Sequence, residues 1–322
     1  MNKEDALFIM GMGGPENIES IEPFLYNLFS DRDIIDFHIG DFLQRFVAKK
    51  IAKKRAKKLA PEYMKMGYNG ASPQVIIHRK IFNKLKIKYK EVYNRELEVI
   101  EANCYYHPFF NEALEILNNN QWENVIFTTV YPQYSLTTVE ACFNRLAKDY
   151  NLYGAYDYKS IIIPYWYSND KYCNAISKRI KEAAKKLCKD IESCHVLYSA
   201  HSVPLSYVEK GDPYPMHIKK HVEIINNITG IKNYYISYQS KVGPVKWMSP
   251  STIDTITNYK NGNIDNIIIV PISFISDHIE TLIEIDEQLI PLLDNTGKKI
   301  IRIDSLNDSD DFIEALNSVL DI

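Results

Sequence analysis

Asn266-Ile267-Ile268-Ile269-Val270-Pro271-Ile272-Ser273-Phe274-Ile275-Ser276-Asp277-His278-Ile279-Glu280-Thr281-Leu282-Ile283-Glu284-Ile285-Asp286-Glu287-Gln288-Leu289-Ile290 decides the reading of the whole chain. The β-branched run from Ile267 to Val270 predicts a strand buried on both faces. Pro271 stops the ladder, and polar Ser276, Asp277 and His278 follow. Ile279, Leu282, Ile283 and Ile285 then recur at roughly helical spacing, so the chain re-enters as a helix. His278 and Glu280 therefore fall at the carboxyl end of a buried strand, where open α/β sheets bind ligands. A second reading stands beside that one. Asp277-x-x-Glu280 also fits a capping box, in which both side chains do nothing but satisfy helix amides.

The same grammar repeats upstream. Asn124 to Val130 is an apolar strand, Tyr131-Pro132-Gln133-Tyr134-Ser135 a crest, and a helix with Val139 and Glu140 follows. This echo predicts two similar lobes with a cleft between their crests. Other apolar runs predict strands at 7–10, 97–102, 161–164, 196–200, 234–238 and 299–303, most of them separated by helical stretches. Strands alternating with helices imply βαβ units, parallel sheets and right-handed crossovers, hence the α/β class. The expected division is 1–155 for an N-terminal α/β lobe and 156–305 for a C-terminal one. Residues 306–322 hold a last helix expected to pack back on the first lobe.

Composition narrows the functions. A net charge of −3 over 322 residues argues against bulk nucleic-acid binding. The five cysteines (Cys104, Cys142, Cys173, Cys188, Cys194) form no C-x-x-C pair, so a disulfide framework, a zinc ribbon and an iron–sulfur cluster are not expected. No apolar run approaches the roughly 20 residues of a membrane span. A strand starting near Ala6 leaves no room for a leader, so a cytoplasmic, soluble or peripheral protein is expected. The turn Gly11-Met12-Gly13-Gly14-Pro15 lets backbone approach a ligand but is not the dinucleotide fingerprint. Residues 41–60 put Phe42, Leu43, Phe46, Val47 and Ile51 on one helical face amid eight Lys and Arg side chains. Such a helix either lies on an anionic membrane surface or turns its apolar face to the core.

Tyr198-Ser199-Ala200-His201-Ser202-Val203-Pro204 delivers a second histidine to a strand end. If its strand neighbours the one before His278, an imidazole and a carboxylate converge. Such a pair accepts protons near neutral pH or holds a divalent first-row metal through nitrogen and oxygen. Glu280, Glu284 and Glu287 repeat along one helix face, either as a carboxylate path for metal or protons or as a solvated face. Met12, Tyr105, Tyr106, Tyr134 and Trp247 gather at other crests and suit a flat apolar ligand.

Ordered blocks along nearly the whole chain resemble the ferrochelatase family. They include Met12-Gly13-Gly14-Pro15-Glu16, Phe29-Ser30-Asp31-Arg32-Asp33, Gly70-Ala71-Ser72-Pro73, His107-Pro108, Tyr131-Pro132-Gln133-Tyr134-Ser135, Ser199-Ala200-His201-Ser202-Val203-Pro204, Gly211-Asp212-Pro213-Tyr214-Pro215, Gln239-Ser240-Lys241-Val242-Gly243-Pro244 and Ser276-Asp277-His278-Ile279-Glu280-Thr281-Leu282. The resemblance implies two Rossmann-like lobes without a nucleotide, and a porphyrin in the cleft. It implies that His201 and Glu280 are the catalytic, metal-handling pair, with Asp277, His278 and Glu284 in support. Met12, Ser72, Tyr105, Tyr134 and Trp247 fall where the family binds its substrate, Ser72 at a propionate. The 41–60 helix matches a membrane-facing lip, giving a peripheral protein on the inner face of the cytoplasmic membrane.

The implied reaction inserts Fe²⁺ into protoporphyrin IX with release of two pyrrole protons, the last step of haem synthesis. Iron is then a substrate, and no resident cofactor is expected. The chain stops at Ile322 without the cysteine-bearing extension that binds a [2Fe–2S] cluster in some relatives. Alternatives are a chelatase for coproporphyrin III or for cobalt, or a bilobal haem- or metal-binding module without turnover. Cys104 stands where the family usually has a basic residue, and Ser273 where it has glycine or alanine. The sequence carries no signal for oligomeric state.

Overall fold

The computed structural model describes residues 4–321, except 33, 35, 36, 38, 151–157, 188–190, 242–244 and 261. Two compact units divide the chain, residues 1–165 and 166–322. The first unit runs β1 (Glu4–Gly11), α1 (Ile21–Ser30), α2 (Asp41–Lys65), α3 (Pro73–Tyr93), β2 (Leu97–Asn103), α4 (Phe110–Asn118) and β3 (Trp122–Thr129). A π-helical turn at Leu136–Glu140 then leads into α5 (Ala141–Tyr150), and β4 (Lys159–Ile163) closes the unit. The second runs α6 (Asp170–Leu187), β5 (His195–His201), α7 (Leu205–Glu209), α8 (Tyr214–Thr229), β6 (Tyr234–Gln239), α9 (Thr252–Lys260) and β7 (Asn266–Pro271). A π-helix (Glu280–Leu289), β8 (Lys299–Arg302) and α10 (Asp310–Val319) complete it.

Each unit holds a four-stranded sheet, ordered β2-β1-β3-β4 and β6-β5-β7-β8, and every described pairing is parallel. The two orders are the same: the first strand of the unit sits inside, and the third stands beside it. The echo seen in the sequence is therefore an equivalence of position, with β3 and β7 as counterparts. The central strands are buried along most of their length, as double-sided burial of Ile267, Ile268 and Ile269 requires. In the second unit Leu197, Ile256 and Ile269 pack with Ile285 and Leu289, so the π-helix is anchored through its own apolar face. Burial of a side chain such as Ile285 contributes about 1.5–3 kcal/mol.

The domain limits differ from those expected. The expected boundary at 155/156 lies outside the described residues, and the first unit continues to Tyr165. It does so because β4 pairs with β3, from Asn124↔Lys159 to Thr128↔Ile163. The terminal helix, expected on the first lobe, packs instead on α6 of the second unit. Its buried Phe312, Ile313 and Leu316 supply the apolar face, and Lys178 Nζ reaches Asp311 at 2.6 Å. Cysteine use also differs: Cys194 is disulfide-bonded, while Cys104, Cys142 and Cys173 are free thiols. Spacing along the chain argues against a cluster but says nothing of a single pair.

Gly13 shows why the turn after β1 needs glycine. Its φ is +75°, and an added Cβ would stand 2.9 Å from Asn103 Cβ. The loop can then fold over β2, where the Tyr105 amide donates to Met12 O at 3.1 Å.

Candidate active site

Three strand ends of the second unit meet at one edge. β5 lies between β6 and β7, pairing His201 with Gln239 and Ser199 with Pro271. The strand bearing His201 thus neighbours the strand before His278. Past Pro271 the chain turns over β5, and the His201 amide donates to Ser273 Oγ at 2.9 Å. Gln239 receives a hydrogen bond from Ser199 Oγ at 2.6 Å and donates to Glu280 O at 2.9 Å.

Glu280 stands between two imidazoles. His201 Nε2 lies 3.4 Å from one carboxylate oxygen, and His278 Nε2 lies 3.4 Å from the other. Each ring is turned by a backbone carbonyl at its far nitrogen: Ser202 O is 2.7 Å from His201 Nδ1, and Ser276 O is 3.1 Å from His278 Nδ1. A carbonyl only accepts, so Nδ1 of each ring carries the proton and Nε2 faces Glu280. Burial opposes a charge on His201, but the Glu280 carboxylate and the Ser202 carbonyl outweigh it and raise the imidazole to about 9. For Glu280, burial works against the charge, yet His201 first and His278 next hold it well below the usual carboxylate range. At neutral pH the pair is an imidazolium beside a carboxylate.

The capping box is not formed. Glu280 turns to the histidines, while the Asp277 amide donates to Asn307 Oδ1 at 2.8 Å. The Asp277 carboxylate accepts from Arg302 Nη1 at 2.8 Å and from Asn307 Nδ2 at 2.7 Å. Burial would raise Asp277, but Arg302 and these donors leave it below its usual value. The helix that follows is π rather than α, with the Ile290 amide donating to Ile285 O.

Glu284 faces the same edge. It accepts from the Ser240 amide at 2.9 Å, from Ser240 Oγ and from Gln239 Nε2 at 3.2 Å. Ser240 adopts φ +65°, a left-handed conformation that non-glycine residues hold only when surroundings impose it. Burial and the neighbouring charge of Glu280 raise Glu284 despite those donors. Glu287 is exposed. Trp247 is half-buried and bridged to Pro204, and its indole N–H has no acceptor among the described residues. Val242, Gly243 and Pro244 of the same loop lie outside those residues.

The first unit has its own crest. Met12 is half-buried. Ser72 precedes α3 with its amide donated to Pro15 O at 2.7 Å and without a side-chain cap bond to the helix. Tyr105 is 3 % exposed, with its hydroxyl donated to Asp31 Oδ2 at 2.9 Å. Burial and Asp31 push that hydroxyl well above its usual range. Cys104 Sγ lies 3.8 Å from Cys142 Sγ. Tyr134, half-buried, donates to Glu140 Oε2 at 3.0 Å.

Of the two arrangements expected for α2, the core-facing one is not adopted by Phe42, Leu43 and Phe46. The face packed inward is Gln44, Ala48, Ala52 and Ala56, which follow one another at four-residue steps. Gln44 Nε2 ties the helix to Phe29 O at 2.9 Å. Phe42, Leu43 and Phe46 are 87 %, 54 % and 53 % exposed. Lys50 Nζ sits 4.3 Å over the Phe46 ring. No helix among the described residues is long and apolar enough to cross a membrane.

The structure brings together both histidines and Glu280, which the sequence singled out, and adds Gln239, Ser240, Arg302 and Glu140 as partners that the sequence did not mark. Gln239 and Ser240 end a strand, the one available signal. Among the described residues, no group of three or more His, Cys, Asp or Glu side chains is arranged to hold a metal ion by itself.

Comparison with known proteins is consistent along the whole chain. Residues 4–321 match the family model described as Ferrochelatase. A protein named Ferrochelatase from Aquifex aeolicus is 35% identical over 316 residues, covering 98% of each chain. One from Geotalea uraniireducens is 35% identical over 322 residues, covering 99% of this chain and 98% of its own. Among solved structures, SirB from Bacillus subtilis with Fe3+ matches at a TM-score of 0.58 and 8% identity, covering 98% of this chain and 94% of its own. That last likeness speaks for the fold alone.

Proposed function

The chain belongs to the ferrochelatase family, and from that premise we propose that it inserts Fe²⁺ into protoporphyrin IX, with His201 and Glu280 at the reacting centre. The observation that carries the assignment is the single carboxylate held between two imidazoles at a sheet edge. A free macrocycle must lose two pyrrole protons as the metal enters. An imidazolium cannot take one, so His201 must first give up its own proton. An approaching dication does this by opposing the charge that Glu280 favours, and the proton leaves to water. His201 Nε2 is then free to accept the two pyrrole protons in turn, each passing on to water, and Glu280 is free to meet the metal through oxygen. His278 steadies Glu280 from its other side, and Asp277 fixes the loop that carries both.

Glu284, raised by burial and then by the Glu280 charge, is suited to pass a proton or an iron ion toward Glu280. Met12, Tyr134 and Trp247 are the proposed porphyrin contacts. Ser72, at the N-terminus of α3, suits a propionate, because helix amides there attract anions. Tyr105 is buried and would act through Asp31 and the backbone beneath Met12.

The choice of protoporphyrin, the less soluble macrocycle, rests on α2. Three exposed apolar side chains among cations suit the boundary of an anionic membrane, where such a substrate is found. Peripheral association on the cytoplasmic face follows from the same surface. Assaying Fe²⁺, Co²⁺ and Zn²⁺ insertion into protoporphyrin IX and coproporphyrin III tests the reading. Preferred turnover of Fe²⁺ with protoporphyrin IX is expected. Preference for coproporphyrin III or for Co²⁺ would replace it, and tight binding without turnover would reduce the protein to a carrier.

A further inference from the structure

Arg302 ends β8, far along the chain from either histidine, with its side chain only 5 % exposed. Its Nε and Nη2 donate to the two oxygens of Asp286 at 2.7 and 2.8 Å, a planar fork on one carboxylate. Its Nη1 donates to Asp277 Oδ1 at 2.8 Å and to Ile303 O at 3.0 Å. Asp304, at 3.6 Å from Nη2, is the outermost charge of the group. Asp277 immediately precedes His278, and Asp286 lies six residues after Glu280. One guanidinium therefore grips the segment on both sides of the reacting groups.

That grip matters because of what it spans. π-Helical bonding is rare and usually confined to single turns, yet here it covers the ten residues Glu280–Leu289. A relaxed α-helix would bring Asp286 around the axis by a different angle relative to Asp277. A single rigid fork can reach both carboxylates in only one of those arrangements. We propose that Arg302 is a positioning residue for metal insertion: by bridging Asp277 and Asp286 it holds the π-helical register that aims Glu280 at His201 and Glu284 at Ser240. The proposal rests on the assignment of His201 and Glu280 made above. The contacts of Arg302 are with Asp277, Asp286, Asp304 and the Ile303 carbonyl rather than with His201 or Glu280.

Arg302→Lys keeps the charge and loses the fork. It is expected to speed amide hydrogen exchange over residues 278–289 by about tenfold while β5 and β6 keep their protection. Turnover is expected to fall about tenfold with the porphyrin KM within about twofold of wild type. A purely structural role would lower Tm and leave turnover per folded molecule and local exchange unchanged, which would overturn the proposal. If Arg302→Lys does not fold, Asp286→Asn, which leaves the Arg302–Asp277 bond in place, is read in the same way. His201→Ala is measured alongside. An active His201→Ala removes the site assignment, whereas an inactive one with normal exchange and turnover in Arg302→Lys removes only the clamp.

Discussion

The crests after β3 and β7 are built alike and equipped differently. Both follow the third strand of a β2-β1-β3-β4-type sheet, turn at a proline and continue as π-helix, at Leu136–Glu140 and Glu280–Leu289. At the first, Glu140 accepts from the hydroxyl of Tyr134, a neutral partner. At the second, Glu280 faces two imidazoles, and His201 is raised to about 9. Backbone design and chemistry are separable here: the fold supplies two equivalent ledges, and the proposed proton and metal work falls to the one whose carboxylate faces two imidazoles.

The strongest way to break that comparison is His201→Ala. Loss of a positioned base is expected to lower kcat by about 10²–10⁴-fold with the protein still folded, checked by steady-state iron insertion and thermal melting. Full activity would leave the second ledge no more chemical than the first.

A smaller effect is expected at α2. Replacing Phe42, Leu43 and Phe46 together by Ser is expected to leave Tm unchanged, because the packed face is the alanine row. Vesicle flotation with anionic lipid should drop and become less salt-dependent, with the porphyrin KM rising by about threefold to tenfold. A variant that unfolds would mean that those side chains are core.

The finest test is ionic. Replacing Glu280 by Gln should let the His201 titration, followed by ring NMR, fall from about 9 toward 6.5. The sign for stability follows. His201 has a raised pKa when folded, so its pairing stabilises fully below about 6.5 and is lost as pH rises through about 9. Glu280 has a depressed pKa, so its share is present above the ordinary carboxylate value and is lost as pH falls through the lowered one. The Tm gap between wild type and Glu280→Gln should therefore close on the alkaline side as pH passes about 9. A gap that persists there would place the stabilisation elsewhere.

The eight strands among the described residues were legible because short apolar runs alternate with helical stretches, most plainly the β-branched run of β7 that ends at Pro271, and His201 and His278 were legible because strand ends in such sheets face the ligand edge. The π register was not. Ile279, Leu282, Ile283 and Ile285 fit an α period about as well, so their spacing does not mark the wider turn. Arg302 fell without remark inside the strand expected at 299–303, since its partners Asp277 and Asp286 lie 25 and 16 residues away. On α2 the large apolar residues hid the packing face, because alanines at four-residue steps carry little hydrophobic signal.

The chemistry is proposed to belong to the second ledge alone. Iron insertion into protoporphyrin IX by Glu280→Gln and Glu140→Gln, measured side by side under one set of conditions, tests it most directly. A loss on the order of a hundredfold in kcat is expected for Glu280→Gln and a change within about threefold for Glu140→Gln. Equal losses in both, or intact turnover in Glu280→Gln, would contradict it.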